Sequence, residues 1–296
     1  MRLERSTLQL LRLHFSVFLM PVYWFALGQV APQERDWGRA LLIFLILHVL
    51  VYPASNGYNS YMDRDDGPIG GLQHPLAPTR QLFILTLGMD ILALLLGLMI
   101  NGYFVAGLMI YILASRAYSY RGIRLKKYPV IGWLTVASCQ GALVFFLVFI
   151  GSHPSNQTPD IGLALRQYWE PMLISSLLLG GFYPLTQVYQ HDADRQDGVL
   201  TLSMLLGYRG SFAFTGLLYF IAVLLLARYF FSTLQFTEFY VVATCMLPIV
   251  VYFFIWAVKV WKDPAQANYA HSIRMNLLGS VCLNLGFVLV LIIGSL

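Results

Sequence analysis

Long apolar runs alternate with short polar segments along the whole chain. Each run is close to the ~20 residues with which an α-helix crosses about 30 Å of hydrocarbon. The pattern predicts nine membrane-spanning helices, and therefore an all-α membrane protein whose single domain covers residues 1–296. The first span leads from the basic N-terminus to about Val30, and the others lie near residues 40–62, 81–100, 103–118, 130–151, 170–191, 211–231, 239–261 and 273–293.

Composition agrees with this pattern. Of the 296 residues, 58% are hydrophobic and 11% are charged, which is too apolar for an ordinary soluble domain. The three cysteines lie in apolar runs without the spacing of metal ligands, so we interpret them as small buried side chains: Cys139, Cys245 and Cys282.

Lysine and arginine are distributed unevenly between the two sides that nine spans define. Fifteen fall on the N-terminal side, Arg2 among them, and four on the other, namely Arg35, Arg39, Arg166 and Arg228. Since cytoplasmic segments carry the excess of positive charge, we expect a cytoplasmic N-terminus, an external C-terminus and a place in the cell inner (plasma) membrane. The net charge of +5 then reflects membrane orientation, and no nucleic-acid partner is expected.

One polar stretch occurs twice, at Tyr52–Gly67 and at Tyr183–Gly198. The two copies align at a constant offset, which predicts an internal duplication. Seven positions are identical: Tyr52/Tyr183, Pro53/Pro184, Tyr58/Tyr189, Asp63/Asp194, Arg64/Arg195, Asp66/Asp197 and Gly67/Gly198. The copies also hold six of the 14 acidic residues: Asp63, Asp65, Asp66, Asp192, Asp194 and Asp197. Acids concentrated at the ends of membrane helices favour a functional site.

The spacing of the polar residues predicts a stripe on one helical face in each copy. The first stripe is Asn56, Asn59, Asp63 and Asp66, and the second is Gln187, Gln190, Asp194 and Asp197. Carboxylates at a helix C-terminus meet the negative end of the helix dipole, so a cation is expected beside them. Oxygen ligands in two groups favour Mg²⁺ or a similar ion.

Both copies end on the same side of the membrane, where they are able to face one another. Basic residues nearby suit a metal-bound diphosphate, and the apolar cavity below suits a lipid tail. Metal and arginine would stabilise the leaving diphosphate, and an allylic carbocation would remain for a nucleophile to capture. Tyrosine π faces are candidates to shield that cation: Tyr58, Tyr61, Tyr118, Tyr120 and Tyr189.

With these residues the chain resembles the UbiA superfamily of intramembrane prenyltransferases over nearly its whole length. The superfamily's first motif, NDxxDxxxD, is matched by Asn59 and Asp63, with Asp66 standing in for the last Asp. Its second, DxxxD, is matched by Asp194 and followed by Gly198, Thr201, Leu202, Leu206 and Gly207. The loop YSYRGIRLKKYPVIG is similar to the superfamily's Tyr- and Lys-containing loop. Ser60 and Gln190 stand where the motifs have Asp, and Asp192 is a candidate substitute.

The resemblance implies nine helices around a central cavity and Mg²⁺-dependent transfer of an isoprenoid group. The partners implied are an isoprenoid diphosphate and a lipophilic, aromatic or quinone-like acceptor in the bilayer. Expected metal ligands are Asn59, Asp63, Asp66, Asp192, Asp194 and Asp197, with Asp63, Asp66, Asp194 and Asp197 as the catalytic acids. Expected substrate-binding residues are Asn59, Arg64, Tyr118, Tyr120, Arg124, Lys126, Gln190 and Arg195.

Two alternatives remain open at this point. A cation-coupled transporter also has repeats and paired acids, but it predicts sites near the membrane midplane on broken helices. A degenerate member of the superfamily would bind a lipid without catalysis, and Ser60 and Gln190 support that hypothesis. A further polar stripe in the last span, Asn276, Ser280 and Asn284, indicates either hydrogen bonding between helices or cavity lining.

Overall fold

The chain folds into nine long helices and no strand within residues 3–295, which are the residues that the computed structural model describes. Eight of the helices are long and apolar enough to cross a membrane, and the ninth, α4, is 18 residues long. The predicted all-α membrane fold is therefore confirmed. The helices are α1 Arg5–Gly28, α2 Trp37–Asp63, α3 Arg80–Gly97, α4 Gly102–Ser119, α5 Pro129–Gly151, α6 Ile161–Gln196, α7 Leu202–Ser232, α8 Phe236–Lys262 and α9 Tyr269–Ile293. Arg2, which the charge count includes, lies outside the described residues.

Four of these helices change their winding partway along. A 3₁₀ segment, Leu13–Leu19, interrupts α1, and another, Val188–Gln190, interrupts α6. π-Helical segments occupy Ile46–Val51 in α2 and Ala137–Leu143 in α5. Such changes of winding rotate the residues that follow and often occur beside functional sites. The second acidic copy is therefore not carried by one continuous α-helix.

An aromatic cluster closes one half of the bundle. Phe25 of α1 stacks on Phe287 of α9 at a centroid distance of 4.7 Å. Its ring also meets Phe145 of α5 at 5.4 Å and Phe230 of α7 at 6.3 Å. All four side chains are less than 2% exposed. These close-packed rings hold α1, α5, α7 and α9 together, and the larger open space of the bundle lies toward the opposite end.

Helices α5 and α6 approach each other closely at Gly141. A Cβ built on this glycine would lie 2.4 Å from the Cα of Ser176, so only glycine fits. The Ser176 hydroxyl accepts a hydrogen bond of 3.0 Å from the amide of Ala142 in the π segment. Small residues at such crossings let membrane helices pack backbone to backbone. The contact fixes the position of α5 and of the basic loop that precedes it.

A buried ion pair joins α3 to α4. Asp90 is 7% exposed and accepts a hydrogen bond of 2.9 Å from Nε of Arg116. The guanidinium also lies 4.0 Å from the ring centroid of Tyr58 in α2. An acid in the middle of a membrane span is a functional candidate by default, but these contacts give Asp90 a structural role.

Replacing Asp90 with alanine leaves the Arg116 guanidinium buried without its carboxylate. Breaking a buried pair in this way costs about 3–5 kcal/mol, so we expect a clearly lower unfolding temperature in detergent. The double variant Asp90→Ala/Arg116→Met removes both charges and should recover most of that loss. An Asp90→Ala protein as stable as the parent would contradict the structural role.

Candidate active site

A cavity of about 270 Å³ opens at the end of the bundle where α2 and α6 finish. Both copies of the repeated stretch line it. The first contributes Asn56, Asn59, Asp63 and Asp65, and the second contributes Gln187, Gln190 and Asp194. Nε2 of Gln190 also donates a hydrogen bond of 3.4 Å to the carbonyl of Pro68, the residue that follows the first copy. The two repeated stretches therefore face each other across one space.

Asp63 is the most enclosed acid of the cavity, with a side chain that is 3% exposed. Its Oδ2 lies 2.6 Å from Nζ of Lys126 and accepts a hydrogen bond of 2.8 Å from Asn59. Its Oδ1 lies 3.6 Å from Nη2 of Arg124 and accepts no hydrogen bond from the described residues. A buried carboxylate at the last residue of a helix requires positive charge beside it, and Lys126 and Arg124 supply that charge.

The basic loop between α4 and α5 connects the two copies. Arg124 has a left-handed backbone, with φ of 54°, and its side chain is 10% exposed. Its guanidinium contacts the carboxylate of Asp197 and donates a hydrogen bond of 3.1 Å to the carbonyl of the same residue. Since it also approaches Asp63, one arginine links both acidic stretches. Arg121 holds the loop in place by donating to the carbonyl of Met62 at 2.7 Å.

The prediction of the first acidic stripe is wrong for its last residue, Asp66. Helix α2 ends at Asp63 because Arg64 adopts a left-handed backbone with φ of 56°. The chain turns there, so Asp65 reaches the cavity while Asp66 is exposed on the outside. Burial, together with the neighbouring Asp63 carboxylate, raises the pKa of Asp65 above its ordinary value.

Several expected site residues lie elsewhere in the structure. Asp192, next to the 3₁₀ segment of α6, has a side chain that is 91% exposed and pairs with Arg195 at 3.1 Å. Arg64 lies over the ring of Tyr61 at 5.9 Å, and Tyr120 is 49% exposed. Asp197 lies beside the cavity lining, held by Arg124. The structure therefore leaves seven expected residues outside the cavity lining: Arg64, Asp66, Tyr120, Arg124, Asp192, Arg195 and Asp197.

Five tyrosines line the cavity: Tyr111, Tyr118, Tyr183, Tyr189 and Tyr269. The hydroxyl groups of Tyr118, from α4, and Tyr183, from α6, are hydrogen-bonded to each other. Tyr189 lines the same space and packs edge-on against Tyr269 at 5.2 Å. Tyr58 instead faces Arg116. The cavity thus has aromatic surface close to its acids, and Tyr183 was recognised from the sequence only as a repeated position.

Arg12 is a cavity residue that the sequence did not single out. It is 6% exposed and donates hydrogen bonds of 3.2 Å to the carbonyls of Gly70 and Asn56. Its Nε is buried and has no hydrogen-bond partner in the described part of the chain. In the sequence it is only one of the fifteen basic residues on the N-terminal side. The available signal was a cation placed inside an apolar run.

The acidic residues of the cavity fit a metal site that substrate and water complete better than a site built from protein ligands alone. Residues 3–295 gather no group of three His, Cys, Asp or Glu side chains that would hold a metal ion by themselves. Mg²⁺ is commonly held by one or two carboxylates together with substrate phosphates and water, without an all-protein cage. The Oδ1 of Asp63, which accepts no hydrogen bond in the described chain, matches that ligand chemistry together with Asn59, Asp65 and Asp194 in the same cavity.

Comparisons with known proteins agree with this architecture. Residues 18–292 match the model of the UbiA prenyltransferase family. A UbiA homologue from Archaeoglobus fulgidus bound to GPP and Mg²⁺ has a TM-score of 0.69 at 20% identity, covering 96% of this chain and 99% of that one. The apo UbiA homologue from Aeropyrum pernix K1 has a TM-score of 0.70 at 17% identity, covering 94% and 98%. A structure of digeranylgeranylglyceryl phosphate synthase has a TM-score of 0.62 at 20% identity, covering 98% of both chains. A search of curated proteins gives no match.

Proposed function

Because this chain belongs to the UbiA prenyltransferase family, we propose that it transfers an isoprenoid group from a polyprenyl diphosphate to a lipophilic acceptor within the membrane, with Mg²⁺. The observation that carries the proposal is the contact of Lys126 and Arg124 with Asp63 in a cavity lined by both acidic stretches. Relatives from Archaeoglobus fulgidus bind GPP or DMAPP together with Mg²⁺, which supports the same donor chemistry here.

Three cations of this chain are placed to bind the diphosphate. Lys126 and Arg12 line the cavity, and Arg124 is held next to them by Asp197. Phosphate oxygens accept strong charge-assisted hydrogen bonds from such groups. As the carbon–oxygen bond of the donor breaks, negative charge accumulates on the diphosphate, and these cations stabilise it.

Four residues would hold Mg²⁺ in this site: Asn59, Asp63, Asp65 and Asp194. When bound, the metal neutralises phosphate charge and so favours departure of the diphosphate. Asp63 also keeps Lys126 oriented through the contact of 2.6 Å. The metal roles of Asp66, Asp192 and Asp197 stay predictions from the sequence, and their positions do not favour them.

The prenyl group leaves as an allylic cation, and the acceptor forms the new bond while it loses a proton. The rings of Tyr118, Tyr183 and Tyr189 offer π faces to that cation. Toward α4 and α5 the cavity carries the neutral polar side chains of Tyr111 and Gln140. These groups suit the hydroxyl or carbonyl groups of an aromatic or quinone-like acceptor.

The orientation predicted from the sequence favours delivery of the donor from the cytoplasm. The cavity opens on the side to which fifteen of the 19 basic residues belong. With the N-terminus cytoplasmic and the C-terminus external, the diphosphate enters from the cytoplasmic side of the inner membrane. The prenyl tail then extends toward the hydrocarbon.

Catalytic prenyl transfer is favoured over the two alternatives, a cation-coupled transporter and a degenerate member of the family that binds a lipid without catalysis. The acids lie at helix ends beside a basic loop, and a coupled transporter would hold them near the midplane. Ser60, which replaces an Asp of the motif, is buried outside the cavity lining. A serine at this position therefore removes no metal ligand from the cavity. Gln190 does line the cavity, where its amide oxygen still offers a ligand.

The proposal is tested by binding of a non-hydrolysable thiolodiphosphate analogue of geranyl diphosphate to the purified protein in detergent. We expect Mg²⁺ to tighten binding at least about tenfold relative to EDTA, because the cavity carboxylates would hold the ion and its charge would offset that of the phosphates. Absence of binding in both conditions, or binding that EDTA leaves unchanged, would overturn it.

A further inference from the structure

Two tyrosine hydroxyl groups meet in the wall of the cavity. Tyr118 of α4 and Tyr183 of α6 both line it, and their hydroxyl groups are hydrogen-bonded to each other. Neither hydroxyl makes a second hydrogen bond within the described part of the chain. A hydroxyl has one O–H donor and two acceptor lone pairs, and one O–H is used between the two oxygens. The pair therefore keeps one O–H donor and several lone pairs free for a bound substrate.

Tyr118 lies between the two ends of the cavity. Ser119, the next residue, accepts a hydrogen bond of 3.0 Å from Asn59, whose amide also donates to Asp63 at the diphosphate end. In the other direction along α4 lies Tyr111, which also lines the cavity and is about 10 Å of helix away from Tyr118. Tyr111 belongs to the neutral polar end that suits the acceptor. The hydroxyl pair is thus placed where the donor and the acceptor meet.

Prenyl transfer to an aromatic acceptor releases a proton inside this space. The described lining residues include no histidine, the side chain that most often acts as a general base. Asp63 already faces Lys126 at 2.6 Å, and Asp65 and Asp194 are the other carboxylates of the proposed metal site. A carboxylate beside a cation is a poor proton acceptor, because the positive charge favours its ionised form. The described lining therefore offers no dedicated base, and the proton needs another route.

The duplication supplies an internal comparison for this pair. Tyr183 begins the second copy, and Tyr52 is its equivalent in the first. Tyr52 is 1% exposed and lies outside the described lining of the cavity. Its hydroxyl is buried without a hydrogen-bond partner in the described chain, and its ring centroid lies 5.9 Å from that of Tyr111. The same residue type is therefore enclosed by protein in one copy and open to the substrates in the other.

We propose that Tyr118 and Tyr183 form a proton relay from the acceptor to the departing diphosphate, and that the acceptor is a phenol or a hydroquinone. The proposal rests on the proposed function, because it names the acceptor class and the proton route of that same reaction. As the carbon–oxygen bond of the donor breaks, its electron pair stays with the diphosphate. The prenyl carbon then bonds to a ring carbon of the acceptor.

The relay moves one proton and leaves both tyrosines neutral. The phenolic O–H bond of the acceptor breaks, and its proton goes to one tyrosine oxygen while that tyrosine passes its own proton to the other. The second tyrosine gives its proton to a diphosphate oxygen, whose negative charge has just increased. The acceptor is left as a neutral dienone, which becomes a phenol again when its ring proton moves to the oxygen. An acceptor without an O–H group cannot use this route.

Phenylalanine substitutions separate the hydroxyl groups from the rings. Tyr118→Phe and Tyr183→Phe keep the π faces that shield the cation, and each removes one oxygen of the relay. Tyr52→Phe is the matched control, because it removes a hydroxyl at the equivalent position of the first copy, outside the described cavity lining. We expect all three variants to unfold near the temperature of the parent and to bind geranyl thiolodiphosphate with Mg²⁺.

The measurement is the single-turnover rate of transfer from geranyl diphosphate to two matched acceptors. One is the phenol that the parent uses fastest in a panel of naphthols, hydroquinones and alkylphenols, and the other is its O-methyl ether. With the phenol, Tyr118→Phe and Tyr183→Phe should be at least about tenfold slower than the parent, since positioned proton transfer contributes about 10²–10⁴-fold. With the ether, these variants should equal the parent, and Tyr52→Phe should equal it with both acceptors. Transfer to the phenol by the parent should also be slower in D₂O.

The possible outcomes separate the relay from the proposed function. If the Phe variants lose the same factor with the phenol and with its ether, the two hydroxyl groups act through packing and the relay is wrong. Unchanged rates in both Phe variants, or an equal loss in Tyr52→Phe, would also overturn it. A parent that binds geranyl thiolodiphosphate but transfers to no phenol in the panel excludes the acceptor class proposed here. A parent that does not bind this analogue with Mg²⁺ contradicts the proposed function itself.

Discussion

Replacing Asp63 with asparagine should lower the rate of prenyl transfer at least about 100-fold. The change keeps the shape of the side chain but removes the negative charge that faces Lys126 and Arg124 at 2.6 Å and 3.6 Å. It also replaces the Oδ1 that has no hydrogen-bond partner in the described chain. Initial rates of diphosphate release, measured across Mg²⁺ concentrations, check the expectation.

Asp192→Asn is the matched control for this experiment. Asp192 belongs to the other copy and is 91% exposed, with Arg195 as its partner. Exposed substitutions of this kind usually change little, so its rate should stay within about twofold of the parent. A folded Asp63→Asn protein with normal rate and metal dependence would remove Asp63 from the site. An equal loss of rate in Asp192→Asn would show that the effect depends on the total acidic charge and not on the position of Asp63 in the cavity.

Lys126→Gln should weaken donor binding by about 10–100-fold, because a hydrogen bond to a charged group contributes about 1.5–3 kcal/mol. Its side chain is 11% exposed and lines the cavity beside Asp63. Most of the loss should appear in the affinity for the diphosphate analogue. Titration of that analogue at fixed Mg²⁺ measures it.

The next residue supplies the control for the lysine experiment. Lys127 is exposed, and its ammonium lies 5.0 Å from the ring centroid of Tyr128. Lys127→Gln removes the same charge from the same loop without touching the cavity. If both variants lose affinity equally, the loop acts through its total charge, and a specific role for Lys126 is wrong.

The sequence predicted most of the architecture because the membrane imposes a simple rule on it. Each span needs about 20 apolar residues, and the runs are long enough to be read directly. The repeated stretch also predicted that two acidic helix ends would meet. In the structure they line one cavity, and Gln190 of the second copy is hydrogen-bonded to Pro68, which follows the first copy.

The details that the sequence did not predict depend on local backbone geometry. The left-handed conformation of Arg64 ends α2 one turn before the end of the predicted stripe. As a result Asp65, and not Asp66, lines the cavity. The 3₁₀ segment Val188–Gln190 similarly changes the direction of Asp192. A prediction from helical spacing assumes uniform winding, so the sequence pattern showed neither of these changes.

Arg12 was missed for a different reason. Its partners are the carbonyls of Asn56 and Gly70, which are distant in the chain and have no side-chain signature. Positive-inside charge already explains an arginine near the N-terminus. Only the packing of α1 against the end of α2 shows that this guanidinium is buried in the cavity wall.

The central claim is that this chain cleaves a prenyl diphosphate and transfers the prenyl group inside the membrane. The most direct measurement follows radiolabelled farnesyl diphosphate in proteoliposomes containing the purified protein and a panel of quinone-like and phenolic acceptors, with Mg²⁺ or EDTA. The account predicts a labelled lipid product and an equal amount of released diphosphate, with Mg²⁺ only. Uptake of intact farnesyl diphosphate into the vesicles, with no released diphosphate, would contradict the account and favour a transporter.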